Sequence, residues 1–144
     1  IHLERLEESL PNNKTRELIT LAKSIQSCFH LLALGGYGMP IQRCCQSGLE
    51  LKPPIGNWDW KCSFIPSEGL AIGSKDNSAI ELNASELALL QRLLQPNLPK
   101  NSEGQLLGPK YVWIRLLTIL ELWIAEHLSK ELKALTMLKG ALMN

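Results

Sequence analysis

One abrupt helix stop divides this chain and constrains its fold more than any other feature. Apolar residues recur at helical spacing from Leu18 to Ala33, and Gly35–Pro40 then contains three glycines and a proline. Glycine favours the left-handed conformation that ends helices, and proline cannot continue one. The pattern therefore predicts a long amphipathic helix ending at the first of these glycines. Upstream, Pro11 and two asparagines predict a break between a short acidic helix over 1–10 and the longer helix, which Thr15 would cap.

The segment from Ile41 to Glu81 has a different character from the helix before it. It holds three of the eight prolines, four of the ten glycines and two of the four tryptophans. Apolar and polar residues alternate over Trp58–Phe64, which is typical of a strand. Gly69–Ile72 is a second candidate strand after a turn, and Ala79–Leu82 is a third. The sequence therefore predicts a small β-ribbon inserted between helices.

Helical patterns resume after the ribbon and continue to the end of the chain. Ser85 is a plausible N-cap for a helix that ends near Pro96 and whose predicted buried stripe is Leu87, Leu90, Leu93 and Leu94. The strongest helical pattern follows over 111–128, and a separate final amphipathic helix is predicted over 130–142. The predicted fold class is mainly α: a helical bundle with a small inserted β-ribbon.

Composition excludes several classes of protein. The chain has 144 residues, 45% of them hydrophobic, so it is long and apolar enough to form a core and does not resemble a disordered segment. The 15 basic and 14 acidic residues give a formal net charge of +1, which is unlike a strongly basic nucleic-acid-binding domain. No apolar run is long enough for a membrane span and no targeting segment is visible, so we expect a cytoplasmic protein without membrane contact.

The sequence offers little catalytic chemistry. No nucleophile, phosphate-loop or metalloprotease motif occurs, and His30 lies in an apolar helical stretch where a structural, hydrogen-bonded role is expected. A zinc site would have to combine His30 with Cys44, Cys45 and Cys62, and adjacent cysteines strain a tetrahedral site. The sequence therefore predicts a protein that is not an enzyme and that has no cofactor.

The aromatic side chains of the ribbon allow two interpretations. Trp58, Trp60 and Phe64 could stack on nucleic-acid bases, as aromatic residues of single-strand-binding proteins do. A strand with aromatic residues at every second position more often buries that face against a core. We therefore expect Trp58, Trp60 and Phe64 to hold the ribbon by apolar packing.

Several motifs, in order and at consistent spacing, resemble the C-terminal domain of the bacterial recombination mediator RecO. The stretch His30–Cys44 is similar to the family's buried helix, its Leu-Gly-Tyr end and the first cysteine of a zinc knuckle. Phe64 and the turn at Glu68–Leu70 fit the next part of the family pattern. Asn83–Leu90 and Glu126–Lys133 resemble two later helices, and the tryptophan-bearing ribbon looks most like cyanobacterial members.

The main departure from the family lies in its zinc site. Cys44 stands at the first ligand position, but Ser47, Gly73 and Asp76 stand at the other three. The resemblance therefore implies a degenerate zinc ribbon that binds no zinc. It also implies that residues 1–144 form the C-terminal helical domain, with the ribbon at about 41–82, and that the family's N-terminal OB-fold domain is absent from this chain.

The resemblance implies a role in DNA repair and homologous recombination, in the bacterial cytoplasm at the nucleoid. Members bind single- and double-stranded DNA, promote strand annealing, and act with RecR to replace single-strand-binding protein by RecA. The acidic C-terminal tail of the single-strand-binding protein is the expected partner of the helical domain. Alternatives are a helical interaction adaptor without a DNA role and a small enzyme whose site is not recognised.

Two sets of cations are predicted to bind these partners. The residues that flank the ribbon, and that we expect to contact DNA phosphates, are Arg43, Lys61 and Lys75. The residues expected to receive the carboxylates of the acidic tail are Lys23, Lys130 and Lys133.

Overall fold

The computed structural model describes residues 2–143, with the side chains of 2–12, 131, 132, 134, 135, 142 and 143 excepted. Within this range the elements are α1 (His2–Leu34), β1 (Cys62–Ile65), β2 (Gly69–Ile72), β3 (Ile80–Leu82), α2 (Ala84–Arg92) and α3 (Lys110–Met143). The predicted fold class, mainly α with a small β insertion, is confirmed. Within the described residues, no helix is long and apolar enough to cross a membrane.

The first helix is longer than predicted. α1 runs without interruption through Pro11, so the predicted break after residue 10 and the cap at Thr15 are wrong. A proline inside a helix removes one backbone hydrogen bond and crowds the carbonyl four residues earlier, and helices can accommodate this by bending locally. The predicted stop is confirmed: Gly36 has a φ of 85°, and the amide of Tyr37 donates to the carbonyl of Leu32 at 2.8 Å. This is the hydrogen-bond pattern of a glycine-terminated helix.

The ribbon is a three-stranded antiparallel sheet in the order β2-β1-β3. β1 pairs with both neighbours, and Cys62 lies opposite Ile72 on one side and Leu82 on the other. All four residues of β1 are buried, which replaces the predicted alternation. The buried hydroxyl of Ser63 is satisfied, because it donates to the carbonyl of Gly73 at 2.7 Å and accepts from the amide of Lys75.

The strand predicted over 58–64 begins four residues later, at Cys62. Asn57 causes this difference: its side chain accepts from the amide of Asp59 at 3.2 Å, and its carbonyl accepts from the amide of Trp60. Asparagine side chains stabilise turns in this way. The turn leaves Trp58 with 79% of its surface exposed, so the prediction that it packs on the core is wrong. Phe64 is buried and Trp60 packs partly buried against the core, as predicted.

The second helix begins two residues earlier than predicted. Asn83, not Ser85, is the N-cap, and it forms a reciprocal capping box with Glu86. The Glu86 carboxylate also lies 2.6 Å from the guanidinium nitrogen Nε of Arg115, which ties α2 to α3. α2 ends at Arg92, and Leu94 lies beyond it with 44% of its surface exposed, contrary to the predicted buried stripe.

The third helix joins the two helices predicted near the C-terminus. α3 continues from Lys110 to Met143, so the predicted division near residue 129 is wrong. Serine and lysine interrupt an amphipathic pattern without breaking a helix. The first half of α3 supplies the centre of the core with Trp113, Leu116, Ile119, Leu120 and Trp123. The indole N–H of Trp123 donates to the carbonyl of Tyr37 at 2.8 Å, which joins α3 to the turn that follows α1.

Candidate functional site

A tight turn over residues 44–48 lies along the outer edge of β2. The amide of Cys45 donates to the carbonyl of Leu70 at 2.7 Å, and the amide of Gly48 donates to the carbonyl of Cys44 at 2.9 Å. The amide of Ile72 donates to the Sγ of Cys44 at 3.4 Å. The turn therefore extends the edge of the sheet, and the Cys44 sulfur takes the place of a strand carbonyl as acceptor.

The surroundings of the cysteines shift their pKa values in opposite directions. Burial raises the pKa of Cys44, but hydrogen bonds from Ser47, Ile72 and Gln46 outweigh burial and lower this pKa to about 7. Burial, followed by the charges of Cys44 and Cys45, raises the pKa of Cys62 to about 12. Burial also raises the pKa of Cys45, whose side chain is exposed at the surface of the turn. Cys44 is therefore the cysteine of this turn best suited to carry a negative charge.

A zinc ion at the family's four ligand positions does not fit these residues. Of the four ligand positions, Cys44 carries a thiolate and Asp76 a carboxylate, while Ser47 and Gly73 cannot replace a thiolate or imidazole. Among the described residues, no three histidine, cysteine, aspartate or glutamate side chains are grouped closely enough to hold a metal ion. Hydrogen bonds to the Cys44 sulfur stabilise this turn without a metal ion.

The three cations predicted to bind DNA lie beside this turn or at the ends of the β1–β2 hairpin that the turn adjoins. Arg43 immediately precedes it and donates from Nη1 to the carbonyl of Gly48 at 3.2 Å. Lys61 is exposed next to β1 and pairs with Gly73, whose amide donates to its carbonyl at 2.8 Å. Lys75, two residues after Gly73, is half-buried. We call these three residues and the turn over 44–48 the ribbon corner.

A cavity of about 650 Å³ lies between α1 and the loop after α2. Its lining, here called the basic cavity, is Lys23, Gln26, Arg92, Pro96, Asn97, Leu98 and Lys100. The buried amide of Gln26 fixes the loop, because its Nε2 donates to the carbonyls of Gln95 and Asn97 at 2.8 and 3.1 Å. The predicted structural role of His30 is confirmed nearby: its Nε2 lies 2.6 Å from the carbonyl of Leu93.

The charges of the basic cavity are all positive. Lys23, Arg92 and Lys100 are exposed, and none of the ion pairs found among the described side chains includes them. Of these three cations, Lys23 is predicted from the sequence as a partner-binding residue, whereas Arg92 and Lys100 are not. Neither position carries a sequence signal, because only the folded loop brings them next to α1.

The two other predicted partner-binding lysines do not line this cavity. Lys130 is exposed on α3 and lies 3.5 Å from Glu126 in an ion pair one helical turn apart. Lys133 is exposed on the same helix. The structure therefore brings Lys23 together with Arg92 and Lys100, and leaves Lys130 and Lys133 on a separate surface of α3.

A second concave surface of about 540 Å³ adjoins the basic cavity through Arg92. We call it the aromatic groove; the side chains that define it are Ile55, Trp58, Leu89, Arg92, Tyr111 and Val112. Trp58 and Tyr111 are 79% and 66% exposed, whereas Leu89 and Val112 are buried. The groove thus has a buried aliphatic floor and two aromatic rings that face solvent.

Comparison with known proteins gives consistent results over the whole chain. The family model described as recombination protein O C terminal matches residues 4–136. A DNA repair protein RecO from Prochlorococcus marinus (strain MIT 9303) is 52% identical over 144 residues, covering 100% of this chain and 54% of the relative. One from Synechococcus sp. (strain CC9311) is 49% identical over 153 residues, covering 100% of this chain and 56% of the relative.

A more distant relative extends the same result. The DNA repair protein RecO of Trichodesmium erythraeum (strain IMS101) is 27% identical over 154 residues, which cover 92% of this chain and 52% of the relative. No solved structure matches the chain. The chain spans about half the length of the curated relatives it matches. With the family model matching nearly all of its residues, the chain belongs to the RecO C-terminal domain family.

Proposed function

We propose that this chain is the partner-docking part of a recombination mediator that acts in DNA repair in the bacterial cytoplasm. The observation that carries the proposal is the family match over residues 4–136, together with relatives named as DNA repair proteins. In this role the whole protein binds single- and double-stranded DNA and anneals complementary strands. With RecR it helps RecA replace the single-strand-binding protein.

The basic cavity is suited to an acidic peptide tail that ends in phenylalanine. Three cations, Lys23, Arg92 and Lys100, surround a concave surface in which Leu98 and Pro96 supply apolar contacts. A terminal carboxylate forms charge-assisted hydrogen bonds with such cations, and an aromatic side chain is a common anchor in a concave site. We propose that the C-terminal tail of the single-strand-binding protein docks here.

A titration with a fluorescent acidic peptide ending in phenylalanine tests this docking site. We expect Lys23→Glu and Arg92→Glu to weaken binding by about 10- to 150-fold, the effect of losing a charge-assisted contact. Lys52→Glu is the matched control, since Lys52 is exposed and lies elsewhere, 3.6 Å from Glu50. A peptide with an amidated C-terminus separates the effect of the terminal carboxylate from that of the acidic side chains.

The same titration examines the alternative position on α3. If Lys130→Glu or Lys133→Glu abolishes binding while Lys23→Glu has no effect, the tail docks on α3 and the basic cavity is the wrong site. If the wild-type chain binds no peptide, the single-strand-binding protein is not a partner of this part of the mediator.

For double-stranded DNA we propose the ribbon corner as the contact surface. Arg43 precedes the turn, and Lys61 and Lys75 flank the adjoining β1–β2 hairpin. Three phosphate contacts predict that the logarithm of affinity falls with the logarithm of salt concentration with a slope of about −3. Reversing all three charges should remove this slope. Unchanged duplex affinity at low salt would move the DNA contact away from the ribbon corner, and absence of any salt-dependent binding would favour the helical adaptor without a DNA role.

A further inference from the structure

The aromatic groove presents two large rings to solvent that the docking role does not use. Trp58 is 79% exposed and Tyr111 is 66% exposed, and both line the same groove. The two tryptophans of α3, Trp113 and Trp123, are buried in the core. Exposing an indole and a phenol ring loses the burial that usually stabilises such side chains.

Both rings are attached to well-defined backbone. Trp58 lies in the turn that Asn57 fixes through its bonds to Pro54, Asp59 and Trp60. Tyr111 lies in the first turn of α3, which begins after Pro109. Rings on fixed backbone lose little conformational entropy when a flat ligand stacks on them.

The charges of the groove favour an anionic ligand. Glu86 is the acidic residue of the lining, and its carboxylate is already paired with Arg115 at 2.6 Å. Arg92 lines both the groove and the basic cavity, so one cation is shared between the aromatic groove and the surface that holds Lys23 and Lys100. Aromatic platforms beside a positively charged track are the combination by which proteins bind single-stranded nucleic acids.

We propose that the aromatic groove binds single-stranded DNA, with bases stacked on Trp58 and Tyr111 and the adjacent phosphates on Arg92. This site rests on the proposed DNA role and gives it a specific location, separate from the ribbon corner. A duplex does not fit the same chemistry, because its bases are stacked on each other and do not reach an external ring. The groove is therefore selective for single strands.

The test compares two fluorescent ligands of about 15 nucleotides, an oligothymidylate and an abasic strand with the same number of phosphates. The wild-type chain should bind the oligothymidylate more tightly than the abasic strand. Trp58→Ala and Tyr111→Ala should each weaken oligothymidylate binding by about 5- to 150-fold, which corresponds to the stacking of one base. Neither substitution should change binding of the abasic strand or of a duplex.

Two variants serve as controls. Trp58→Phe keeps an aromatic face and should retain most of the affinity, but it removes the quenching of exposed tryptophan fluorescence that stacking produces. Leu34→Ala removes another exposed apolar side chain, 85% exposed at the end of α1, and should have no effect. Unchanged thermal unfolding of the alanine variants shows that their loss of affinity is local.

Three other results would overturn the proposal, and each has a different meaning. If oligothymidylate binds and Trp58→Ala and Tyr111→Ala bind it equally well, the groove is not the site, although DNA binding by the chain stands. If these variants lose the acidic peptide and keep the oligothymidylate, the groove is a peptide site. If the wild-type chain binds no oligonucleotide at low salt, the DNA role proposed for this chain fails together with the groove.

Discussion

The ribbon corner and the basic cavity both gather three cations, but they are assembled differently. Arg43, Lys61 and Lys75 come from one continuous stretch of chain that folds back on itself through a turn and a hairpin. The basic cavity combines Lys23 of α1 with Arg92 and Lys100, which lie beyond the ribbon. Local pairing therefore defines the ribbon corner, whereas helix packing defines the cavity and the groove beside it.

The two regions also differ in what fixes their geometry. At the ribbon corner, backbone hydrogen bonds and the sulfur of Cys44 join the turn to β2. On the helical side, buried side chains hold the loops by hydrogen bonds to backbone carbonyls. Gln26 fixes the loop after α2, and the indole N–H of Trp113 donates to the carbonyl of Leu107 at 2.9 Å. Mutations should therefore affect the helical side mainly through packing and the ribbon corner through its hydrogen bonds.

The largest expected effect is on the helical side. Trp113 is fully buried and its indole N–H has a partner, so Trp113→Ala should lower the free energy of unfolding by about 3–5 kcal/mol. Urea unfolding followed by circular dichroism measures this loss. Trp58→Ala, which removes an exposed ring of the same size, should change the free energy by less than about 0.5 kcal/mol. Equal effects of the two substitutions would contradict the assignment of Trp58 to a solvent-exposed site.

The next effect depends on pH and belongs to the ribbon corner. The pKa of Cys44 is about 7 in the folded chain, below its value of about 9 in the unfolded chain. A depressed pKa stabilises the fold above the unfolded pKa, and this stability is lost as the pH falls through the folded pKa. Between about pH 6 and pH 8.5 the wild type should therefore gain about 2 kcal/mol relative to Cys44→Ser, which does not ionise.

Urea unfolding of both proteins across this pH range checks the result. Cys62 does not interfere, because its raised pKa affects stability only as the pH rises through about 9 towards about 12. A constant difference between wild type and Cys44→Ser at all pH values would show that hydrogen bonds to this sulfur do not favour the thiolate.

A smaller effect distinguishes the two possible caps of α2, at the rim of the aromatic groove. Asn83→Ala removes the side-chain acceptor for the amide of Glu86 and should lower the free energy of unfolding by about 1 kcal/mol. Ser85→Ala should change it by less than about 0.5 kcal/mol, because this side chain is exposed within the first turn. A larger loss for Ser85→Ala would restore the cap expected from sequence.

The smallest expected effect is the response of the ribbon corner to a chelator. Because only Cys44 of the four family ligand positions carries a thiolate, we expect the purified chain to hold no zinc and its thermal unfolding to be unchanged by chelation. Elemental analysis and a melting curve with and without chelator check this. One tightly held zinc per chain would mean that other side chains complete a site around Cys44.

Local chemistry explains which elements could be predicted from the sequence. The helix end at Gly35–Gly36, the strand over Gly69–Ile72 and the helical pattern of the first half of α3 each depend on residues adjacent in sequence. The predictions differ from the structure where the sequence allows two local conformations. The helix continues through Pro11, and the turn at Asn57 moves the start of the strand from Trp58 to Cys62.

The sequence by itself determined the family and the order of the elements, because motifs and hydrophobic periodicity are local properties of the sequence. It also supplied Lys23, Arg43, Lys61 and Lys75 as candidate cations. Only the tertiary structure placed Arg92 between an aromatic groove and a basic cavity. The physical reason is that a binding surface depends on which side chains, distant in sequence, packing brings together. A local sequence pattern does not contain this spatial proximity.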